Sequence, residues 1–463
     1  MKISSETYVV FVSFITSFFA IFLSNGIVIG VPAIASEFAM NNVIQNWIPT
    51  LFFLVVAVFT VPAGQISGKF GVKKSLIMGV IVYLLGSIGA CLSFSTEIFL
   101  IFRIIQGAGV AFLNVSAMAM VVSAVKPQNR GKALGFTVTG VYLATSLSPV
   151  ACGFLVQNLG WRSMFYFVIP FLIMCLVIMV VKIPKEWKTY EGEPIDKIGS
   201  ILYGIGILLF IYGFTTLVQP MGVIYTIIGI LLLVIFGVWE LRQKSPVFDM
   251  NLFKNSKFTS SNIASLCSYI AVMVVTTILN YHFQYVRNWS PQITGLILII
   301  TPILMAIMAP NAGRLSDKIN PQKLAALGMT IAALALLILT FMDGQTPLYL
   351  IILAMVLQGV GMGLFSSPNM NAIMSSVPPK YAPTASASQA TMRTIGQTLS
   401  LGLLTLIFAW VMGNLELAPQ YAPLIVESSR IICGICTIAC IVAVFSSLVG
   451  IRSKDEFNIK RLS

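Results

Sequence analysis

Gly64-Gln65-Ile66-Ser67-Gly68-Lys69-Phe70-Gly71-Val72-Lys73-Lys74 and Gly313-Arg314-Leu315-Ser316-Asp317-Lys318-Ile319-Asn320-Pro321-Gln322-Lys323 each leave one long apolar run and enter another. Both fit a Gly-x-x-Ser-x-Lys-x-(Gly/Asn)-x-(Lys/Gln)-Lys pattern, and they start 249 residues apart. One short polar element used twice between apolar segments points to a duplicated membrane protein with two equivalent polar loops.

Composition agrees. Hydrophobic residues are 57% of the 463-residue chain and charged residues 9%, against roughly half and a quarter in soluble domains. Apolar runs of about 20 residues match the hydrocarbon thickness of a bilayer. They predict fourteen helices, near 8–31, 46–65, 75–94, 98–123, 134–157, 164–182, 198–217, 222–239, 259–281, 292–312, 322–341, 347–368, 387–411 and 429–451. Lysine and arginine collect on the cytoplasmic side of membrane proteins, and with an inside N-terminus 23 of the 28 cationic residues fall inward. Both termini are therefore expected in the cytoplasm, with the chain in the cell membrane. The net charge of +13 reads as topology and attraction to the anionic leaflet, which excludes a nucleic-acid partner.

The first apolar run is too long for a cleaved signal peptide and is expected to remain as a helix. Cys91, Cys152, Cys175, Cys267, Cys433, Cys436 and Cys440 all lie inside expected spans, so no disulfide framework is implied. Cys433-x-x-Cys436 has no second ligand pair, and these thiols read as small hydrophobes. No metal and no cofactor is expected. The mixed-charge stretch 183–197 and the polar stretch 240–258 mark boundaries. They divide the chain into a six-helix bundle, 1–183; linkers with two inserted helices, 184–257; and a second six-helix bundle with a short tail, 258–463.

Three elements could carry chemistry. The fourth span contains Arg103-Ile104-Ile105-Gln106-Gly107-Ala108-Gly109, with Arg103, Gln106, Gly107, Val110 and Asn114 on one face. An arginine inside a span is costly unless it meets a carboxylate, a carbonyl or water, so Arg103 is expected to face the bundle interior. Snorkelling to the outer surface is the alternative. The fifth span carries Gly140, Ala144, Ser148, Pro149, Cys152 and Gly153, a small-residue ladder suited to tight packing and a bend at Pro149. Next comes Gly160-Trp161-Arg162-Ser163-Met164-Phe165-Tyr166-Phe167-Val168-Ile169-Pro170, whose Trp161 and Arg162 read as interfacial anchors.

These residues resemble the major facilitator superfamily. The two hinge loops correspond to those between the second and third helices of each half, and Arg103 to Gly109 to its Arg-x-x-Gln-Gly-x-Gly signature. The fifth span looks like a weakened form of the antiporter motif, with Ala144, Ser148 and Cys152 in place of glycines. Gly160 to Pro170 is similar to an element of the fourteen-span drug:proton antiporters, with further support from Pro246 to Asn255 and Ser290-Pro291 to Gly295. The resemblance implies an all-α integral membrane protein of fourteen helices, two six-helix bundles plus a two-helix insert. It implies secondary active transport by alternating access, with multidrug, antiseptic or tetracycline efflux as the type, protons as the coupling ion and no enzymatic activity. Its coupling and gating residues would be Arg103, Gln106, Gly107, Gly109, Gly64, Gly71, Gly313, Asp317, Lys318, Pro149 and Gly153. A small-molecule substrate would lie between helices 1, 4 and 5 and helices 9, 12 and 13. Candidate contacts are Asn25, Asn114, Tyr142, Asn280, Gln284, Gln358, Asn369, Gln389 and Arg393.

Two departures stand out. Asp317 has the hinge carboxylate of the family pattern, whereas the first half has Gly68 there, so the two hinges are expected to latch unequally. In addition, none of the fifteen acidic residues lies convincingly at mid-membrane. The in-span polar groups are neutral or cationic, including the Gln389, Arg393, Gln397 stripe and the single histidine, His282. His282 is expected to be interfacial. This leaves a uniporter or an exporter of a neutral or anionic metabolite as the main alternative, and a non-transporting sensor of the same fold as a remoter one. A monomer is the simplest oligomeric expectation.

Overall fold

The computed structural model describes residues 5–188, 196–243, 246, 250–316, 318–377 and 382–452. Fourteen helices are long and apolar enough to cross a membrane. They are α1 Ser5–Glu37, α2 Asn42–Phe70, α3 Val72–Leu92, α4 Thr96–Ala124, α5 Pro127–Leu159, α6 Ser163–Lys182, α7 Lys197–Thr215 and α8 Pro220–Glu240. The rest are α9 Ser256–Tyr281, α10 Pro291–Ser316 with a break at Ile299, α11 Pro321–Thr340, α12 Leu348–Ser375, α13 Ala382–Met412 and α14 Ala422–Arg452. No strand occurs among the described residues. In lipid each span must satisfy its own backbone, and the helix does so.

Most helices overrun their hydropathy windows, and the first hinge shows why this matters. Gly64 to Phe70 form the last two turns of α2 and only Gly71 is non-helical before α3. Polar residues there end the apolar run without ending the helix. Gly71 adopts φ 117°, open to glycine and strained for other residues. Starts are set by local chemistry: Asn41 caps α2 through Ile44 N, and Asn255 caps α9 through Phe258 N.

Helices α1 to α6 pack as one group and α9 to α14 as another. Helix α7 lies in the cleft between α2 and α13, where Tyr203, Ile207 and Ile211 join Leu54, Ala57 and Val61 of α2 and Ile395 and Leu399 of α13. The Tyr203 hydroxyl donates to the Ala57 carbonyl at 3.1 Å. The inserted pair thus touches both groups, with α8 stacked on α7.

The packing within the two groups repeats. A Cβ on Gly107 of α4 would lie 2.7 Å from the Phe52 carbonyl oxygen of α2, and one on Gly359 of α12 would lie 2.7 Å from the Thr301 carbonyl oxygen of α10. Gly109 presses on Tyr83 of α3, and Gly361 on Gly328 and Ala332 of α11, at backbone distance. Gln358-Gly359-Val360-Gly361 is therefore a second copy of Gln106-Gly107-Ala108-Gly109, 252 residues later.

Candidate functional site: a one-sided seam and a buried arginine

The two helix groups meet at the face opposite the termini. A set of hydrogen bonds from α1 and α2 to α9, α13 and the loop after α13 joins them in that half. Asn42 Nδ2 donates to the Gly413 carbonyl at 2.7 Å, and its backbone N to Leu415 O at 3.0 Å. Gln45 donates to the Tyr285 hydroxyl at 2.8 Å, and the Tyr281 hydroxyl donates to Asn46 Oδ1 at 2.8 Å. Asn280 donates to Val28 O at 2.9 Å and Gln284 to Ile29 O at 3.2 Å, while Thr398 donates to Phe53 O at 3.1 Å. On the other side of the molecule α5 crosses α10. A Cβ on Gly153 would stand 2.7 Å from the Pro291 carbonyl oxygen, and one on Gly295 would collide with that of Pro149. Glycine at both positions lets the backbones touch. The Pro149 to Gly153 ladder and the Pro291 to Gly295 start of α10 are thus the two sides of one contact, and the seam seals the far face.

Arg103 lies in the interior of the first group, with no exposed surface. Its Nε donates to the Ile48 carbonyl at 3.3 Å and Nη1 to Gln106 Oε1 at 2.8 Å, with the guanidinium 4.3 Å from the Phe52 ring centroid. Gln106 in turn donates to Ser87 Oγ at 2.9 Å, and Ser87 to Tyr83 O at 2.8 Å. The cation is held by a carbonyl, an amide and a ring face, and Nη2 has no partner. In the second group Met355 stands where the first has Arg103. Gln358, 2% exposed, is left with neither amide atom partnered.

The remaining expected residues fall in three places. Asn280 and Gln284 belong to the seam, and Gln284 also donates to Asn280 Oδ1 at 2.7 Å. Asn369 is inside the second group, donating to Ser261 O at 3.1 Å. Asn25, Asn114, Gln389 and Arg393 are half-buried, and Asn25 reaches Thr145 at 3.5 Å. Tyr142 is in α5 with its side chain outside the described part, and Asp317 lies outside the described residues altogether. Gly64 and Gly313 face Val115 of α4 and Ser367 of α12 respectively, equivalent positions in the repeat. Lys318 is exposed. Trp161, in the α5–α6 connection, is 4% exposed and packs inside the protein. Its indole donates to Glu37 at 2.7 Å, beside an Arg162–Glu37 ion pair of 2.7 Å. That pairing holds the Arg162 proton more tightly than usual. Arg162 also reaches the carbonyls of Cys91 and Ser93, joining the far ends of α1 and α3.

Glu186, in the non-helical stretch after α6, was not visible as functional in the sequence. Its carboxylate accepts from Lys73 N at 2.9 Å and Lys74 N at 3.1 Å, capping the positive end of α3. Val72 N donates to Trp187 O at 2.8 Å. A Cβ at Gly71 would collide with the Glu186 carboxyl. The first hinge, lacking an acid at Gly68, is thus tied by an acid from 118 positions further on.

A model of the family described as Major Facilitator Superfamily matches residues 13–401. The chain belongs to that superfamily. It is similar to the riboflavin transporter RibZ of Clostridioides difficile, 27% identical over 89% of this chain and 91% of the relative. It is also similar to the multidrug resistance protein Stp of Mycobacterium tuberculosis, 28% identical over 86% and 75%. Among solved structures, a peptide transporter POT in complex with alafosfalin superposes with TM-score 0.72 at 16% identity, covering 98% of this chain and all of that one. A bacterial homologue of the lysosomal transporter Spinster, in an inward-facing and unoccupied conformation, also gives 0.72, at 15% identity. This superfamily protein is a multi-pass membrane transporter.

Proposed function

We propose that this superfamily transporter exports small amphipathic molecules in exchange for protons, as a member of the fourteen-span drug:proton antiporter branch, by alternating access across the cell membrane. The observation that carries this reading is the one-sided seam. Two repeated helix groups joined by polar contacts at a single face can rock about their interface so that the seam opens as the opposite face closes. With the termini in the cytoplasm, a placement that the distribution of Lys and Arg supports, the sealed face is external and the present state is inward-facing. The moving units are residues 1–183 and 258–463, with 184–257 carrying the α7–α8 pair that spans them.

Substrate would sit between α1, α4, α5 and α9, α12, α13, against apolar and aromatic walls with a few polar contacts from Asn25, Asn114, Tyr142, Gln389 and Arg393. Asn280, Gln284, Gln358 and Asn369 would reach it in other stages of the cycle. The absence of a mid-span carboxylate favours neutral, zwitterionic or anionic compounds. The relative named for riboflavin transport and the one named for multidrug resistance both fit an aromatic or amphipathic cargo.

Purified protein in proteoliposomes, given an imposed pH gradient and offered cationic, neutral and anionic dyes in parallel, tests the reading. Dye movement that follows the proton gradient and stops with an uncoupler supports exchange. Counterflow that persists unchanged after the gradient collapses would favour the uniporter alternative.

A further inference from the structure

The seam contains a titratable group placed to sense protons. His282 follows Tyr281 at the end of α9 and opens a π-helical turn, His282–Val286, a distortion that tends to occur at functional sites. It is 1% exposed, packed inside the protein at the far end of α9. Nε2 accepts from Arg287 Nε at 3.0 Å. Because the guanidinium can only donate, the hydrogen bond assigns the neutral ring proton to Nδ1, and Nδ1 has no partner. Arg287 also donates to the Thr346 carbonyl, which ties the end of α9 to the loop between α11 and α12. Trp289 stacks on Phe283 just beyond, with ring centroids 5.0 Å apart.

The neighbours of His282 in sequence are the seam itself. Asn280, Tyr281, Gln284 and Tyr285 grip α1 and α2, while His282 and Arg287 hold the same two turns from behind. We propose that His282 is the proton-binding residue of the far-face gate, and that protonation of Nε2 expels Arg287, frees segment 280–287 and opens the seam. The imidazole can take a second proton only at Nε2. Once it does, an acceptor becomes a donor and two cations face each other at hydrogen-bond distance, so the contact breaks.

The charges around the site fit this role. Arg287 is on the same segment. Asp343, in the α11–α12 loop, is held below the usual carboxylate range by hydrogen bonds from Thr346 and the Gln345 amide, so it stays anionic and can receive the released guanidinium. Helix α14 contributes Arg430, bonded to Thr340 O at 3.2 Å, with Glu427 one turn earlier. The first turns of α10 carry no charge. On the seam side are the phenols of Tyr281 and Tyr285, with Glu416 beyond Tyr285.

This inference rests on proton coupling, and the test separates the two. Wild type, His282→Gln and Arg287→Gln are reconstituted in lipid, and hydrogen–deuterium exchange is followed in peptides covering 41–46, 280–289 and 413–418. Labelling is at about pH 8 and about pH 5.5, with times scaled for the intrinsic pH dependence of exchange. Acidification should raise wild-type exchange in these peptides by about fivefold or more. His282→Gln, whose amide still accepts from Arg287 but does not titrate, should stay at its high-pH level. Arg287→Gln should exchange fast at both values, which keeps the test intact if the histidine variant does not fold. An equal pH response in His282→Gln, or no response in wild type, overturns the assignment. Gradient-driven transport on the same vesicles distinguishes the failures: transport that survives with a pH-insensitive seam removes His282 alone, whereas its loss in wild type removes proton coupling.

Discussion

Arg103 links three helices of the first group. It is fully buried without a carboxylate, on partners drawn from α2 and α4 and linked through Gln106 to α3. Arg103→Ala should reduce transport by at least about tenfold, equivalent to about 1.4 kcal/mol, with insertion and expression near normal. Its correct place is read by transport and surface-expression assays side by side, and wild-type transport in the variant would mean that the cation has no part in the cycle. The two hinges should respond unequally. Asp317→Asn is expected to slow turnover by about tenfold, since a charge-assisted contact contributes roughly 1.5–3 kcal/mol. Gly68→Asp should be mild or stimulatory, because Glu186 already supplies a carboxylate to the first hinge, and Glu186→Gln should make Gly68→Asp more beneficial. Equal losses at positions 68 and 317 would contradict this. The buried arginine was legible in the sequence because an in-span charge breaks a strong local rule. Glu186 was not, since nothing near it signals that it folds back onto Lys73 and Lys74.

At the scale of elements, the crossing of α5 and α10 sets how closely the two groups approach. Gly295→Ala places a methyl against the Pro149 carbonyl, and overpacking of this kind costs about 1–3 kcal/mol. The seam should loosen, giving a lower thermal midpoint and raised labelling of far-face positions. An unchanged midpoint together with unchanged labelling would show that the backbones do not need to touch. The fourteen spans were readable because lipid demands about 20 consecutive apolar residues, a purely local requirement. Helix ends were not, as the hinge shows: Lys69 and Phe70 read as loop but complete α2. The repeat was half readable. The hinge pair is plain in sequence, whereas Gln358-Gly359-Val360-Gly361 lacks the arginine that draws attention to its partner, and its offset of 252 against 249 for the hinges blurs the alignment.

For the whole molecule, substrate charge follows from the distribution of ionisable groups. A permanent cation at mid-membrane carries a large desolvation cost, and the sequence puts no acid convincingly within a span to offset it, while Arg393 and Gln389 are the proposed donors. Neutral, zwitterionic or anionic compounds should be transported better than quaternary ammonium dyes. Robust efflux of a quaternary ammonium compound with no response to an anionic analogue of similar size would sink this. The seam itself could not be read from sequence, because its pairs join residues such as Asn42 and Gly413 or Gln45 and Tyr285 across most of the chain, and no local pattern encodes such distances. The central claim is that this seam opens during transport. Spin labels at exposed Asn158 and Gln420, with the half-buried Cys267 replaced by serine, report it by pulsed electron spin resonance. The account requires one short distance in the resting protein and a second, longer population when substrate and a proton gradient are supplied together; a single unchanged distance under both conditions would contradict it.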